Sequence, residues 1–440
     1  MVTKRLAVAV ALTAALATAC GSGGSGGSAA SAPASSAAAP SAAEKVELTY
    51  WNWVPNMDKI VEVWNQAHPD IHVTSSKQAG GDDAAAKFLT AAKAGNPPDL
   101  VQAEYQMLPS FVAAEAVADL TPSAGGLKSQ FGDGLWSLVT LGTDALYGVP
   151  QDSGPMMLYY RADLFKKYGV DVPTTWDEFA AAARTIHKAD PKSYLTNFSS
   201  KDPGWFAGLS QQAGASWWGI NGDAWKVAVN DDPTKKVADF WGGLVKEGVI
   251  STTASFTPEW NKALADGKLL AWTSAIWAPG VLSSNAPKTA GKWEIAALPQ
   301  WNAGENASGF WGGSAVAVSA ASKHQDAAVK FLTWLNTDPA ATKLLVDQGA
   351  IYPAATAAQG ALSTAPEFFS NLPDFWQKAA SFGAGARGFT FGPDVNVTYN
   401  AYKDAMDKAV AAKSSFSDAV TSMQDATVAD MQKAGFTLAQ

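Results

Sequence analysis

The chain has 440 residues, 47% of them hydrophobic, and sets 32 Lys and Arg against 40 Asp and Glu for a formal charge of −8. That balance excludes the basic face a nucleic-acid partner requires, and a single cysteine excludes both an internal disulfide and a cysteine-based metal site. The length beyond the N-terminal leader exceeds what one compact core carries and points to two lobes.

The chain opens with Lys4 and Arg5, a short apolar run over 6–16, and the small residues Ala17-Thr18-Ala19 before Cys20. The run is too short to span a bilayer as a permanent helix. The pattern is that of a lipoprotein signal peptide over 1–19, cleaved to leave a lipid-modified Cys20. A Gly/Ser/Ala/Pro tether over 20–45 then holds the body off the membrane.

Residues 46–51 alternate and predict a strand. An amphipathic helix follows over 57–67, with Ile60, Val61 and Trp64 on one face. A second strand is expected at 71–73. His68 and His72 have helical spacing, but Pro69 lies between them and a zinc pair is not expected. A helix over 84–94 stops at Gly95-Asn96-Pro97-Pro98, and 99–101 gives a third strand. Strand and helix alternating in this way predict an α/β layered lobe with a largely parallel sheet.

Farther on, 156–160 reads as a strand and 161–165 opens a helix. Another helix begins at Trp176, capped by Thr174 or Thr175. A helical, Trp-rich region runs over 204–248, strands are expected at 268–272 and 312–319, and a helix at 327–335. Two tail helices occupy 399–413 and 416–433. The 18 tryptophans are too many for a core that must find each N–H a partner, so some are expected on a binding surface.

Several strings now carry a resemblance. They are Tyr50-Trp51-Asn52-Trp53, Gly95-Asn96-Pro97-Pro98-Asp99-Leu100-Val101, and Tyr147-Gly148-Val149-Pro150. Leu158-Tyr159-Tyr160-Arg161-Ala162-Asp163-Leu164-Phe165 follows, with Val172-Pro173-Thr174-Thr175-Trp176-Asp177-Glu178-Phe179 behind it. Asp266-Gly267-Lys268-Leu269-Leu270-Ala271-Trp272 with Trp277, and Gly312-Gly313-Ser314-Ala315-Val316-Ala317-Val318-Ser319, complete the set. In this order they resemble the bacterial extracellular solute-binding proteins of family 1, maltose-binding-protein-like carbohydrate receptors of ABC importers.

The resemblance implies an α/β, two-lobed periplasmic-binding-protein-like fold of type II. Each lobe is a mostly parallel sheet flanked by helices, and a hinge leaves a central cleft. It implies a first lobe of 46–153 plus 314–360 and a second of 154–313 plus 361–440. Asp152-Ser153-Gly154-Pro155 suits the hinge, because Gly and Pro break both periodicities there. The expected protein is a monomeric, extracellular, membrane-anchored receptor, not an enzyme and without a cofactor or metal. It would take a carbohydrate, an oligosaccharide by preference, and hand it to the permease subunits of an ABC transporter.

A sugar presents hydroxyls at its rim and C–H groups on its faces. A receptor must hydrogen-bond the first and offer flat apolar surface to the second. Ligands of open α/β sheets sit at the carboxyl ends of strands. There Trp51 and Trp53 follow the first strand, Gln78 the second, and Glu104 and Tyr105 the third, with Asp152 on the crossover. By resemblance Glu104 grips sugar hydroxyls, and Trp205 sits in a loop offering an aromatic platform. Trp277 is the leading stacking candidate, joined by Trp311, Gly313, Arg387 and Phe391; Trp217-Trp218 is either core or rim. Two alternatives stay open: a receptor for a non-sugar solute, and a secreted glycoside hydrolase using Glu104 and Asp152 as its two carboxyl groups.

Overall fold

The computed structural model describes residues 45–439 apart from Ala79, Asp223 and Asp394. The signal sequence, Cys20 and the tether lie outside the described residues. Alternation in the first strand, β1 (Val46–Asn52), buries Leu48, Tyr50 and Asn52. It pairs in parallel with β2 (Ile71–Lys77) and β3 (Leu100–Glu104). The crossover helix Met57–Ala67 turns Met57, Ile60, Val61 and Trp64 onto the sheet. The Trp64 indole donates to the Ile71 carbonyl at 3.1 Å, and His68 stacks on Trp64 at 3.5 Å between centroids, which gives that histidine a packing role. The second crossover is the helix Gly81–Lys93.

The long strands β4 (Val149–Arg161) and β9 (Ser308–Val318) organise the rest. Between them in the chain come the hairpin β5 (Trp218–Asn221) and β6 (Ala224–Val227), then β7 (Ala271–Ala275) and β8 (Trp293–Ala296); β10 (Ala386–Arg387) follows β9. The main sheet runs β2-β1-β3-β9-β4-β7, with β8 also on β4 and β10 on β9. The C-terminal half of β9 pairs with β3, and the C-terminal half of β4 lies between β7 and β8. The two long strands therefore join the β2-β1-β3 strands to β7 and β8. Among the strands, parallel pairing is confined to β2-β1-β3 and to the short β10–β9 contact. The long strands run against their neighbours and pair antiparallel.

The break expected at 152–155 is absent. Gly154 and Pro155 sit inside a continuous β4 whose register against β9 shifts between Pro150 and Asp152 and again between Ser153 and Pro155. Bulges tolerate both residue types and bend a strand without ending it. A third segment lies alongside: the Ser153 N–H donates to Tyr352 O at 2.9 Å and the Ala354 N–H to Gln151 O at 3.1 Å.

Local signals otherwise fix the elements well. Thr175, rather than Thr174, caps the helix Trp176–Ala189 through a capping box with Glu178. The expected helical stretch 204–248 is two helices, Pro203–Ala213 and Asp232–Glu247, separated by the β5–β6 hairpin. The strand expected at 268–272 begins later, at Ala271. The tail forms Val395–Ala412 and Phe416–Lys433. Ten tryptophans are core residues: Trp64, Trp136, Trp176, Trp205, Trp217, Trp218, Trp241, Trp260, Trp272 and Trp293.

Candidate functional site

The strand pairing builds one wall of the site. Glu104, the last residue of β3, lies opposite Ser314 on β9, and Ser314 lies opposite Asp152 on β4. Residues paired across neighbouring strands share a face. The Ser314 hydroxyl donates to Asp152 Oδ1 at 2.5 Å and accepts from Gln102 Nε2 at 2.9 Å. Gln102 Oε1 in turn accepts the Trp53 backbone N–H at 3.0 Å. The chain of bonds thus runs β1 to β3 to β9 to β4. Burial pushes the Asp152 carboxyl up to about 6, against the opposing pull of the Ser314 hydrogen bonds. Its backbone carbonyl accepts the Tyr105 hydroxyl at 2.7 Å. Asp152 is therefore tied into the crossing strands.

Beyond Ser314 the backbone turns at Gly313, which has φ +98°. A Cβ there would stand 2.8 Å from Tyr105 Cε2 and 3.2 Å from Asp152 O. Glycine is the residue that allows this approach. The turn brings Trp311 over the cavity.

That cavity, about 160 Å³, lies between the end of β3 and the helix Pro203–Ala213. Glu104, Tyr105 and Gln106 line it from the end of β3. Phe310 and Trp311 of β9, Gly204 and Gln211 of the helix Pro203–Ala213, and Phe391 and Tyr399 line it from the other side. Gln106 Nε2 donates to Glu104 Oε2, which orients the carboxylate. The Trp277 indole donates to the Trp311 carbonyl at 2.9 Å, and the two rings meet edge to face at 4.7 Å. One wall thus offers a carboxylate and an amide, the other indole faces. This suits a neutral, hydroxyl-rich ligand with an apolar face.

Of the residues singled out in the sequence, the fold gathers Glu104, Tyr105, Trp311 and Phe391 on the cavity, with Trp277 and Gly313 directly behind. Trp51, Trp53 and Gln78 form a neighbouring group that does not line it. Lys87 Nζ sits 4.6 Å over the Trp51 ring and donates to Gln78 Oε1 at 2.5 Å, while Gly80 lies against the Trp53 face. Trp205 is a core residue, 4% exposed. Its indole N–H bonds Thr273 O at 3.0 Å and its ring meets Trp241 at 4.9 Å. The apolar side of its helix faces inward, so the platform expected of that loop is not presented. Trp217 and Trp218 are buried with it. Arg387 is exposed on β10 and reaches the Gln212 carbonyl at 3.4 Å.

Phe256 escapes a reading of the sequence. It is 46% exposed, holds φ +65°, and its ring lies 6.2 Å from Trp277 and 6.0 Å from Trp311. A bulky residue at positive φ is a strained one. Here it extends the indole wall. Along the chain only Trp260, at 5.5 Å, packs on it; its other ring partners are Trp272 of β7, Trp277 and Trp311 of β9. Gln106, Gln211 and Tyr399 were equally invisible. Among the described residues, no group of three or more His, Cys, Asp or Glu is placed to hold a metal ion.

The bacterial extracellular solute-binding protein family matches residues 50–342. The chain belongs to that family. This solute-binding protein is 27% identical to the lactose-binding protein of Rhizobium radiobacter over 391 residues, 84% of this chain and 88% of the relative. The galacto-N-biose-/lacto-N-biose I-binding protein of the ABC transporter from Bifidobacterium longum, solved with lacto-N-biose, is 30% identical. It covers 91% of the solute-binding protein with 100% of its own chain, at a TM-score of 0.79. The ABC transporter associated binding protein from B. animalis subsp. lactis Bl-04, solved with β-1,6-galactobiose, is 27% identical at a TM-score of 0.74, covering 90% and 100%. The family is extracellular, and its members are binding proteins.

Proposed function

We propose that this protein is the receptor of an ABC importer for a short oligosaccharide, held in the cavity between the lobes. The observation that carries the reading is the pairing of two unlike walls: Glu104 with Gln106 on one, Trp311 backed by Trp277 and Phe256 on the other. Hydroxyls at the sugar rim meet the first and a ring face meets the second. The relatives from Rhizobium radiobacter, Bifidobacterium longum and B. animalis, named for or solved with disaccharides, support a ligand of that size. Glu104, Tyr105, Trp277, Trp311, Gly313 and Phe391 are the proposed binding set. Asp152 holds the hinge.

The lobes divide as 46–153 plus 314–360 and 154–313 plus 361–440, and binding shifts the population toward a closed form that the permease recognises. Lipid on Cys20 tethers the monomer to the outer face of the membrane. No helix among the described residues is long and apolar enough to cross one. Calorimetric titration of the purified protein with lactose, lacto-N-biose and β-1,6-galactobiose tests the ligand class. Binding of none of them, alongside tight binding of an amino acid or a cation, overturns it. Cys20→Ser tests the anchor: it should release the protein from the membrane fraction and change its gel mobility.

A further inference from the structure

Five glutamines are buried: Gln102, Gln151, Gln211, Gln212 and Gln300. Four of them give their amide nitrogen to a protein acceptor. Gln102 donates to Ser314 Oγ, Gln151 to Asn336 Oδ1, Gln212 to Pro299 O and Gln300 to Ala307 O. These amides stitch strands and loops together. Gln211 differs. It is 2% exposed, yet among the described residues its Nε2 has no protein acceptor. It is also the one of the five that lines the cavity.

Its orientation is fixed. Gln211 Oε1 accepts the Phe310 backbone N–H at 2.7 Å. An N–H can face only the oxygen of an amide, so the group cannot be flipped, and Nε2 is the end left over. Its neighbours on the helix Pro203–Ala213 lack this freedom. The Ser210 hydroxyl is bonded to Phe206 O, and the Gln212 amide is held by Trp176, Pro299 and Ala307. A donor with no protein acceptor on a cavity wall must find its acceptor in whatever fills the cavity, so Nε2 is placed to meet a ligand oxygen there.

We propose that Gln211 is a ligand-reading residue, with Nε2 donating to one hydroxyl oxygen of the bound sugar. Glu104, on the opposite wall, accepts from a hydroxyl, so the two lobes read one ring with opposite polarity. A site built around a fixed donor rejects an analogue lacking the matching oxygen more strongly than an apolar pocket rejects a change in size. Gln211 therefore sets specificity, while the indole wall supplies sequence-tolerant affinity.

The inference rests on the carbohydrate reading, and the experiment separates the two. The full chain and its Gln211→Glu and Gln211→Met variants are titrated calorimetrically with lactose, lacto-N-biose and β-1,6-galactobiose. They are then titrated with singly deoxygenated forms of whichever sugar the parent binds best. Gln211→Glu keeps an oxygen for the Phe310 N–H and places lone pairs where the donor was; Gln211→Met keeps length and apolar bulk. Both are expected to bind at least about tenfold more weakly. The parent should lose a similar factor when one particular hydroxyl is removed, and Gln211→Glu should lose almost nothing further from that same removal. A structural role alone would leave the penalty for every missing hydroxyl unchanged between parent and variant, and that pattern overturns the proposal. Binding by both variants within about twofold of the parent overturns it as well. A parent that binds none of the sugars but takes an amino acid or a cation tightly removes the carbohydrate reading, and the inference with it.

Discussion

Gly313→Ala is the sharpest probe of the packing where β9 crosses β4. Two costs can be worked out from its surroundings. The backbone at φ +98° is disfavoured for an L side chain by roughly 1–2 kcal/mol. The new Cβ would also stand 2.8 Å from Tyr105 Cε2, about 1 Å inside the optimal carbon–carbon separation. Tyr105 is buried, so relief means shifting its ring and losing the hydroxyl bond to Asp152 O, a further ~1 kcal/mol. The total is roughly 2–3 kcal/mol. Gly304→Ala is the control: φ is +85°, but nothing lies within 4 Å of its Cβ, so it carries the backbone cost alone. Urea unfolding of the three proteins, followed by far-UV circular dichroism, reads the difference. If Gly313→Ala is no less stable than Gly304→Ala, the close packing of Tyr105 against Gly313 of β9 plays no part in holding the crossing strands.

Trp311→Ala, which strips an indole from the cavity wall, and Trp277→Ala, which removes the ring packed against it, are each expected to weaken sugar binding about tenfold by calorimetry with little change in melting temperature. Trp205→Ala should do the reverse: a loss of roughly 3–5 kcal/mol in urea unfolding, as for a core aromatic, with affinity kept in the folded protein. Thr175→Ala removes one half of a capping box and should cost about 1 kcal/mol by the same assay; no change would refute the cap. Asp152 provides a pH test. Burial raises its carboxyl from 3.8 to about 6, so between those values the native state holds a proton that the unfolded chain has released. Stability from this group accordingly falls as pH rises through that window and stays low above it. Asp152→Asn removes the loss, and should be more stable than the parent by about 2 kcal/mol at pH 7.5 relative to their difference at pH 4. An unchanged difference at the two pH values rules the titration out.

Local order was legible wherever one segment decides its own structure. The helix over 57–67 declares itself through Ile60, Val61 and Trp64, and the structure gives the same bounds. The last helix begins at Phe416 because Ser415 caps it. The crossing strands were not legible, since Gly154 and Pro155 look like an ending until β9 is present to pair around them. The hairpin at 218–227 hid inside a Trp-rich stretch that reads as helix. The same blindness divides the site. Glu104 and Tyr105 follow from the end of a strand, Trp277 from a string the family shares, and Trp311 from its place just before another. Phe256 and Gln211 owe their roles to partners about twenty to a hundred residues away. Tryptophan count misleads for a related reason. Ten of the 18 are core, many with the N–H satisfied inside, as Trp205 is by Thr273 and Trp217 by Thr234.

The central claim is that an indole wall and a carboxylate–amide wall hold a sugar between two hinged lobes. Tryptophan fluorescence, titrated with the best-bound disaccharide, addresses it directly in the parent and in a Trp277→Phe/Trp311→Phe double variant. A saturable change with one-to-one stoichiometry in the parent, largely abolished in the double variant while weaker binding persists by calorimetry, is the result expected. An identical spectral change in both proteins would mean that the sugar binds elsewhere.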